Sequence, residues 1–187
     1  MRRGALVLAA ALLCASVQAH GDTIVSGNIT STRTWTVAGS PYIVTGQRLV
    51  KNGSTLTIEP GVVVKFNANC GLIEDYSTGV SSIVAVGTPA DSIVFTSNLA
   101  SPAAGSWASI SVVDSLSSSL FSYCTFRYAT QGLYFTRTDA PVSHCSFSDC
   151  QSGIWLVESS PAITSCWITD CTSEGVRCVK NLSLIHI

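Results

Sequence analysis

The chain has 187 residues, of which 47% are hydrophobic and only 11% charged, with a formal net charge of −1. So much apolar matter with so little charge excludes a disordered chain. The near-zero charge leaves no field to gather nucleic acid or anionic lipid, and the length suits one sizeable core.

Arg2 and Arg3 precede an apolar run over residues 5–17, and Val17-Gln18-Ala19 places small side chains where a signal peptidase reads them. Residues 1–19 are expected to be a signal peptide, cut between Ala19 and His20. The run is too short to span a bilayer, and no later stretch reads as a transmembrane segment. Bulky Leu13 ahead of Cys14 argues against a lipoprotein site. Without the leader, 8 basic face 11 acidic side chains, a net −3.

Residues 55–58 alternate cleanly and read as a strand. Glu59-Pro60-Gly61 is a turn, with Pro presetting φ and Gly free to take positive φ. Strands follow at 62–66, 82–86 and 92–96, the last two separated by a turn at 87–90. Residues 98–105 read as a longer loop and 107–112 as a further strand. No helix is expected after the leader.

The second half repeats. Phe121, Cys124, Phe126, Ala129 and Leu133 recur 21 residues on as Val142, Cys145, Phe147, Cys150 and Ile154. They recur again as Ile163, Cys166, Ile168, Cys171 and Val176, the last slipping by one residue. A period of 21 residues is too short for a helical-hairpin repeat, which needs roughly 33 or more. The residues are Ser, Thr, Cys, Gly, Val, Ile and aromatics, with strong helix formers scarce. Short strands separated by corners, each coil stacking on the last, fit this pattern. The fold class expected is all-β, a right-handed parallel β-helix with coils of about 21 residues forming a single domain over residues 20–181.

With residues 53–66, 86–97, 105–107 and the Cys-bearing coils in view, the chain resembles secreted bacterial right-handed β-helix repeat proteins of the pectin-lyase-like fold. The resemblance covers residues 24–180 and is specific for fold rather than function, since that family mixes uncharacterised surface proteins with lyases, hydrolases and epimerases. It implies an N-terminal cap within about residues 20–50. Residues 182–187 are the reading of CTGTCTCTTATACACATC, which resembles the end of a transposase-based library adapter. That tail is expected to be non-native, with the protein running on beyond residue 181.

Seven cysteines follow the leader. The repeat puts Cys124, Cys145 and Cys166 in one column and Cys150 and Cys171 in another with Ala129. Three readings stay open: inward packing as small apolar groups, a disulfide within a column, and a zinc site from the paired Cys-x4-Cys spacings. Ala19-His20-Gly21 resembles the start of some lytic polysaccharide monooxygenases, whose copper site needs a second imidazole; only His144 and His186 are available.

Asp149 and Asp170 share a column, where adjacent carboxylates raise one pKa or hold Ca²⁺. The bland reading is two solvated turn residues. Arg127, Arg137, Arg177 and Lys180 are the cations on these coils, and no two share a column. Tyr123, Tyr128, Tyr134, Trp155 and Trp167 are either core and cover residues or a sugar-stacking platform.

The function expected is therefore an exported, non-catalytic structural or adhesive module contacting extracellular polysaccharide or other cell-surface components, with no cofactor and no nucleic acid. It would be secreted, at the cell surface or in the periplasm. The alternative is a polysaccharide lyase or glycoside hydrolase whose catalytic coils lie beyond the fragment.

Overall fold

The computed structural model describes residues 21–113, 116 and 118–179. The expected leader and its cleavage point before His20, Lys180, His186 and the tail at 182–187 lie outside the described residues.

Chain order and sheet order interleave. In the first coil β1 (Thr23–Val25) is followed by Ile29, which bridges to Val50, and then by β2 (Arg33–Trp35). The next coils are β3 (Tyr42–Val44), β4 (Gln47–Val50) and β5 (Thr55–Ile58), then β6 (Val63–Phe66), β7 (Gly71–Glu74) and β8 (Ser82–Val86). β9 (Ile93–Ser97), β10 (Ile110–Val113) and β11 (Leu120–Ser122) make the fourth coil. β12 (Cys124–Arg127), β13 (Gln131–Thr136) and β14 (Val142–Ser143) make the fifth. β15 (Ser146–Ser148), β16 (Ser152–Val157) and β17 (Ile163–Thr164) lead to the last pair, β18 (Trp167–Thr169) and β19 (Glu174–Val179).

Equivalent strands of successive coils pair in parallel. They build one sheet of seven strands (β1-β3-β6-β9-β12-β15-β18, sheet A) and two of six, sheet B from β4 to β19 and sheet C from β2 to β17. The chain is thus an all-β parallel solenoid of about seven turns. Among the described residues the only helical piece is the 3-10 turn Val37–Gly39, and no helix is long and apolar enough to cross a membrane.

Parallel pairing in strict register lays like upon like. In sheet A, Phe95 pairs Phe126, Phe126 pairs Phe147, and Phe147 pairs Ile168, all but the last fully buried. The Phe95–Phe126 and Phe126–Phe147 ring centroids lie 4.9 and 4.7 Å apart with the rings stacked nearly parallel, which is the strand spacing itself, about 4.8 Å. Sheet C stacks Trp35, Ile58, Ala85, Phe121, Val142 and Ile163 inward. Sheet B stacks Leu72, Ile110, Leu133, Ile154 and Val176. A glycine column, Gly132 over Gly153 over Gly175, runs beside it. A Cβ on Gly153 would lie 2.7 Å from the Gly175 carbonyl oxygen and 2.9 Å from Ile168 Cγ2.

The corners use left-handed backbone. In the last coils every corner carries a non-glycine residue at positive φ. These are Tyr128, Asp149 and Asp170 between sheets A and B, Arg137 and Glu158 between B and C, and Tyr123, His144 and Ser165 between C and A. Earlier coils turn on Asn52, Asn69, Gly61 and Gly105 instead, which take this region with less penalty.

The strands at 55–58 and 82–86 fall where the sequence places them, and those at 63–66 and 93–97 within one residue. The expected strand at 107–112 forms only as β10. Trp107 instead bridges Ala129, stacks 4.2 Å from Phe66, and donates its Nε1–H to the Arg127 carbonyl at 2.6 Å. β4 and β7 are unread in the sequence because each places a charged side chain, Arg48 or Glu74, in an inward column. Glu74 is 1% exposed, pairs with Val50 and accepts a 2.7 Å hydrogen bond from Ser119.

Truncating the middle of the ring stack, Phe126→Ala, should cost about 3–5 kcal/mol. Gly153→Ala should cost about 1–3 kcal/mol through overpacking against Gly175. Both are read from denaturant midpoints at unchanged m, and a near-neutral Phe126→Ala would show that the ladder is not the core.

Candidate functional site

The chemistry-bearing side chains concentrate at two corners of sheet A and on the outer face of sheet B. The thiols come first. Pairing of Thr125 with Ser146 and of Ser146 with Trp167 sets the preceding residues, Cys124, Cys145 and Cys166, one above another. Cys124 and Cys145 are fully buried and Cys166 is half-buried. At the other end of the same strands the backbone N–H groups that follow the corner lock the second column: Gln151 N donates to Ala129 O and Thr172 N to Cys150 O. Ala129, Cys150 and Cys171 therefore stack as well, and all seven described cysteines are free thiols.

A local rule lies beneath both columns. Cys70, Cys124, Cys145, Cys150, Cys166 and Cys171 each directly follow a left-handed residue, namely Asn69, Tyr123, His144, Asp149, Ser165 and Asp170. In five of these the thiol donates to the carbonyl two residues back: Cys70 to Ala68, Cys124 to Ser122, Cys145 to Ser143, Cys150 to Ser148 and Cys166 to Thr164, at 3.2–3.5 Å. Ser159 after left-handed Glu158 does the same to Val157 at 3.0 Å. The carbonyl already accepts a ladder N–H in each stacked case, for example Tyr123 N on Ser143 O. The thiol takes the second lone pair. A corner of this shape needs a small side chain turned inward, as Ala129 also shows after left-handed Tyr128, and Cys adds a weak donor for the carbonyl.

Burial and mutual contact hold Cys145, Cys150 and Cys166 protonated. Bonding with the Cys124 thiol, opposed by Cys166 and reinforced by burial, keeps Cys145 far above the ordinary thiol range. Burial pushes Cys150 up to about 12. Cys166 is raised chiefly by its bond with Cys145, then by burial. Two Cys of one coil, such as Cys145 and Cys150, are separated by a strand of roughly 16 Å. The paired Cys-x4-Cys spacing therefore does not converge, and no cluster of three or more His, Cys, Asp or Glu suited to a metal ion occurs among the described residues.

Asp149 and Asp170 stand at the same corner of adjacent coils, both exposed. Their charges reach the second thiol column, adding to the larger effect of burial that raises the Cys171 pKa. Neither forms an ion pair with a described residue within 4 Å; among the described residues the ion pair is Arg177–Glu174 at 3.3 Å. Arg137 is exposed at the B–C corner and Arg127 on the outer face of sheet A. The cations are not gathered around the acids. His144 is exposed and stacks on Tyr123 at 4.5 Å.

The five aromatics divide by face. Trp167 is 75% exposed on sheet A. Tyr123 and Tyr128 sit at corners, Tyr128 packed against the core. Tyr134 and Trp155 pair on the outer face of sheet B, with Arg177 next in the same row. The Tyr134 and Trp155 rings are 6.1 Å apart, and the Arg177 guanidinium lies 4.2 Å from the Trp155 centroid. This row of two rings and a cation runs along the solenoid axis, across the strands. The sequence offers Tyr134 and Trp155 among its candidate stacking aromatics, but their alignment with Arg177 was missed because the repeat was read for its inward residues; the same 21-residue step carries Tyr134 onto Trp155.

Residues 27–117 match the family model of the pectate-lyase like beta helix domain. The match ends before the coils that bear the stacked cysteines and the aromatic row. No curated protein and no solved structure matches the chain.

Raised thiol pKa values set the sign of an alkaline effect. Unfolded thiols ionise near 8.5, whereas Cys150 in the fold stays protonated to about 12. The neutral form is favoured by folding, so this stabilisation is full below about pH 8.5 and is lost as pH rises toward 12. Stability should fall by about 1.4 kcal/mol per pH unit per buried thiol over that window. The slope should shrink in Cys145→Ser and Cys150→Ser, which keep a donor for the corner carbonyl. Denaturant titrations between pH 8 and 11 measure it, and equal slopes in wild type and variants would contradict the assignment.

Proposed function

We propose that this chain is an exported, non-catalytic surface module, structural or adhesive, that touches polysaccharide along the outer face of sheet B. The observation that carries the reading is the Tyr134–Trp155–Arg177 row. Rings held on a rigid sheet present large amphipathic area at low entropic cost, suited to the C–H faces of sugars. An arginine beside them supplies donors for hydroxyl or carboxylate oxygens. Parallel stacking fixes the row along one line, so the ligand it suits is a linear chain rather than a compact small molecule.

The match to a pectate-lyase like domain favours a second reading, polysaccharide cleavage. Against it, Asp149 and Asp170 stand exposed at a corner while Arg177 is engaged by Glu174 and Trp155 on a different face. Lyase chemistry calls for a base and charge neutralisers converging on one sugar acid.

Affinity electrophoresis through a panel of neutral and acidic polysaccharides tests both readings. At least one polymer should retard the wild type, and Trp155→Ala should lose most of that retardation, tenfold or more in apparent Kd, with its unfolding midpoint little changed. Retardation that survives Trp155→Ala would move the contact off this face. Accumulation of unsaturated, ultraviolet-absorbing product would replace the non-catalytic reading by the lyase one.

A further inference from the structure

We propose that Cys145–Cys166 and Cys150–Cys171 are two inter-coil disulfide sites, closed by thiol–disulfide exchange with a small-molecule disulfide such as oxidised glutathione. Closing them would staple the last two coils together at both ends of one strand pair.

Distance selects the partners. Strand pairing holds Cα atoms of vertically adjacent residues about 4.8 Å apart, inside the disulfide range of about 4.4–6.8 Å. Cys145 and Cys150, at opposite ends of β15, are roughly 16 Å apart and cannot bridge. Within the first column Cys124 is also a neighbour of Cys145, but it is fully buried and its thiol reaches the Ala85 and Ser122 carbonyls at 3.4 Å. Cys166 and Cys171 are half-buried. Each pair therefore joins one reachable thiol to one enclosed partner.

The corner carbonyls stay satisfied when a thiol turns toward its neighbour. Those lying two residues before Cys145, Cys150 and Cys166 keep their ladder donors, Tyr123 N on Ser143 O, Tyr128 N on Ser148 O and His144 N on Thr164 O. Cys150 and Cys166 also give up longer contacts, 3.8 Å each, to Phe126 O and Val142 O. At each corner only the weaker S–H bond is lost, so the turn geometry survives oxidation.

The chemistry proceeds from the accessible member. The Cys166 thiolate attacks one sulfur of the small disulfide; that S–S bond breaks, and a small thiolate leaves and takes a proton. The Cys145 thiolate then attacks Cys166 Sγ in the mixed disulfide and expels the second small thiolate. Two protein thiols are oxidised and one small disulfide is reduced to two thiols. Cys171 and Cys150 follow the same course. Because burial and mutual bonding keep these thiols protonated, the rate should climb steadily with pH through 7 to 9.

The full chain, folded, is incubated with oxidised glutathione at pH 8.5, quenched with N-ethylmaleimide, and cut after glutamate without reductant. Cleavage after Glu74, Glu158 and Glu174 puts Cys145 and Cys150 in the fragment 75–158 and Cys166 and Cys171 in 159–174. The two fragments should run as one linked species that separates on reduction. Amide exchange in β18 and β19 should slow tenfold or more on oxidation. In urea the same treatment should instead favour the short loops Cys145–Cys150 and Cys166–Cys171, leaving the fragments apart. Separate fragments from the folded chain, with Cys166 and Cys171 capped by maleimide or glutathione, would overturn the proposal. So would a link that persists in the double variant Cys145→Ser/Cys150→Ser, since Cys124 would then be the partner. The wild-type map decides alone if that variant does not fold.

Discussion

Backbone pairing at one strand spacing, repeated coil after coil, is the constraint on which the molecule rests. It fixes each side chain's vertical neighbours as the residues one period away. A residue type that packs well against itself at about 4.8 Å is therefore reinforced. Flat rings meet this condition, as in Phe95, Phe126 and Phe147 at 4.9 and 4.7 Å. Glycine meets it where carbonyl and side chain leave no room, as at Gly132 and Gly153. The same constraint makes a mismatch conspicuous. Glu74 sits in the inward column next to Val50, and the coil answers with the Ser119 hydroxyl, which also accepts from Ile83 N at 2.8 Å.

Stacking alone would give flat ribbons, so the corners matter equally. The later coils place Tyr, His, Asp, Arg, Glu or Ser in left-handed backbone, where Asn or Gly is easier. Such residues persist because the register on both sides over-determines the turn. The residue that follows must point inward into a tight space, and it is Cys, Ala, Ser or Thr: Cys145 after His144, Ala129 after Tyr128, Ser159 after Glu158, Thr138 after Arg137. The cysteine spacing that suggests a metal site is thus the spacing of corners. Four positions separate Cys145 from Cys150 because one short strand, β15, lies between two turns.

This explains what was legible beforehand. The inward columns through Phe126, Cys145 and Leu133 could be read because their residues are alike in every copy, and the one-residue slip before Val176 appears as Glu174 pairing with Ser152. The strands at 47–50 and 71–74 could not, since Arg48 and Glu74 break the apolar alternation that marks a strand. Trp107 reads as a strand residue by type, yet its indole N–H needs the Arg127 carbonyl and its ring needs Phe66, contacts at a corner. The corners themselves were invisible because a left-handed Tyr128 or Arg137 carries no signal that a left-handed Gly would.

The outer face follows the same geometry with a different consequence. Outward columns are free of the packing test, so likeness from coil to coil there is not demanded by the core. Sheet A's outer face shows this freedom, running Val94, Thr125, Ser146 and Trp167 with no common theme. Sheet B departs from it: Tyr134, Trp155 and Arg177 stand in file, the cation at 4.2 Å from the ring below. The Arg177–Trp155 contact contributes about 0.5–1 kcal/mol at an exposed site, too little for the fold to require it. A row the fold does not need, on a chain with only 11% charged residues, is where contact with another molecule is most economically sought. It lies on the coils beyond residue 117, outside the segment that resembles the pectate-lyase like domain. The recognition proposed for this face is therefore written in the part of the chain that the family likeness does not reach.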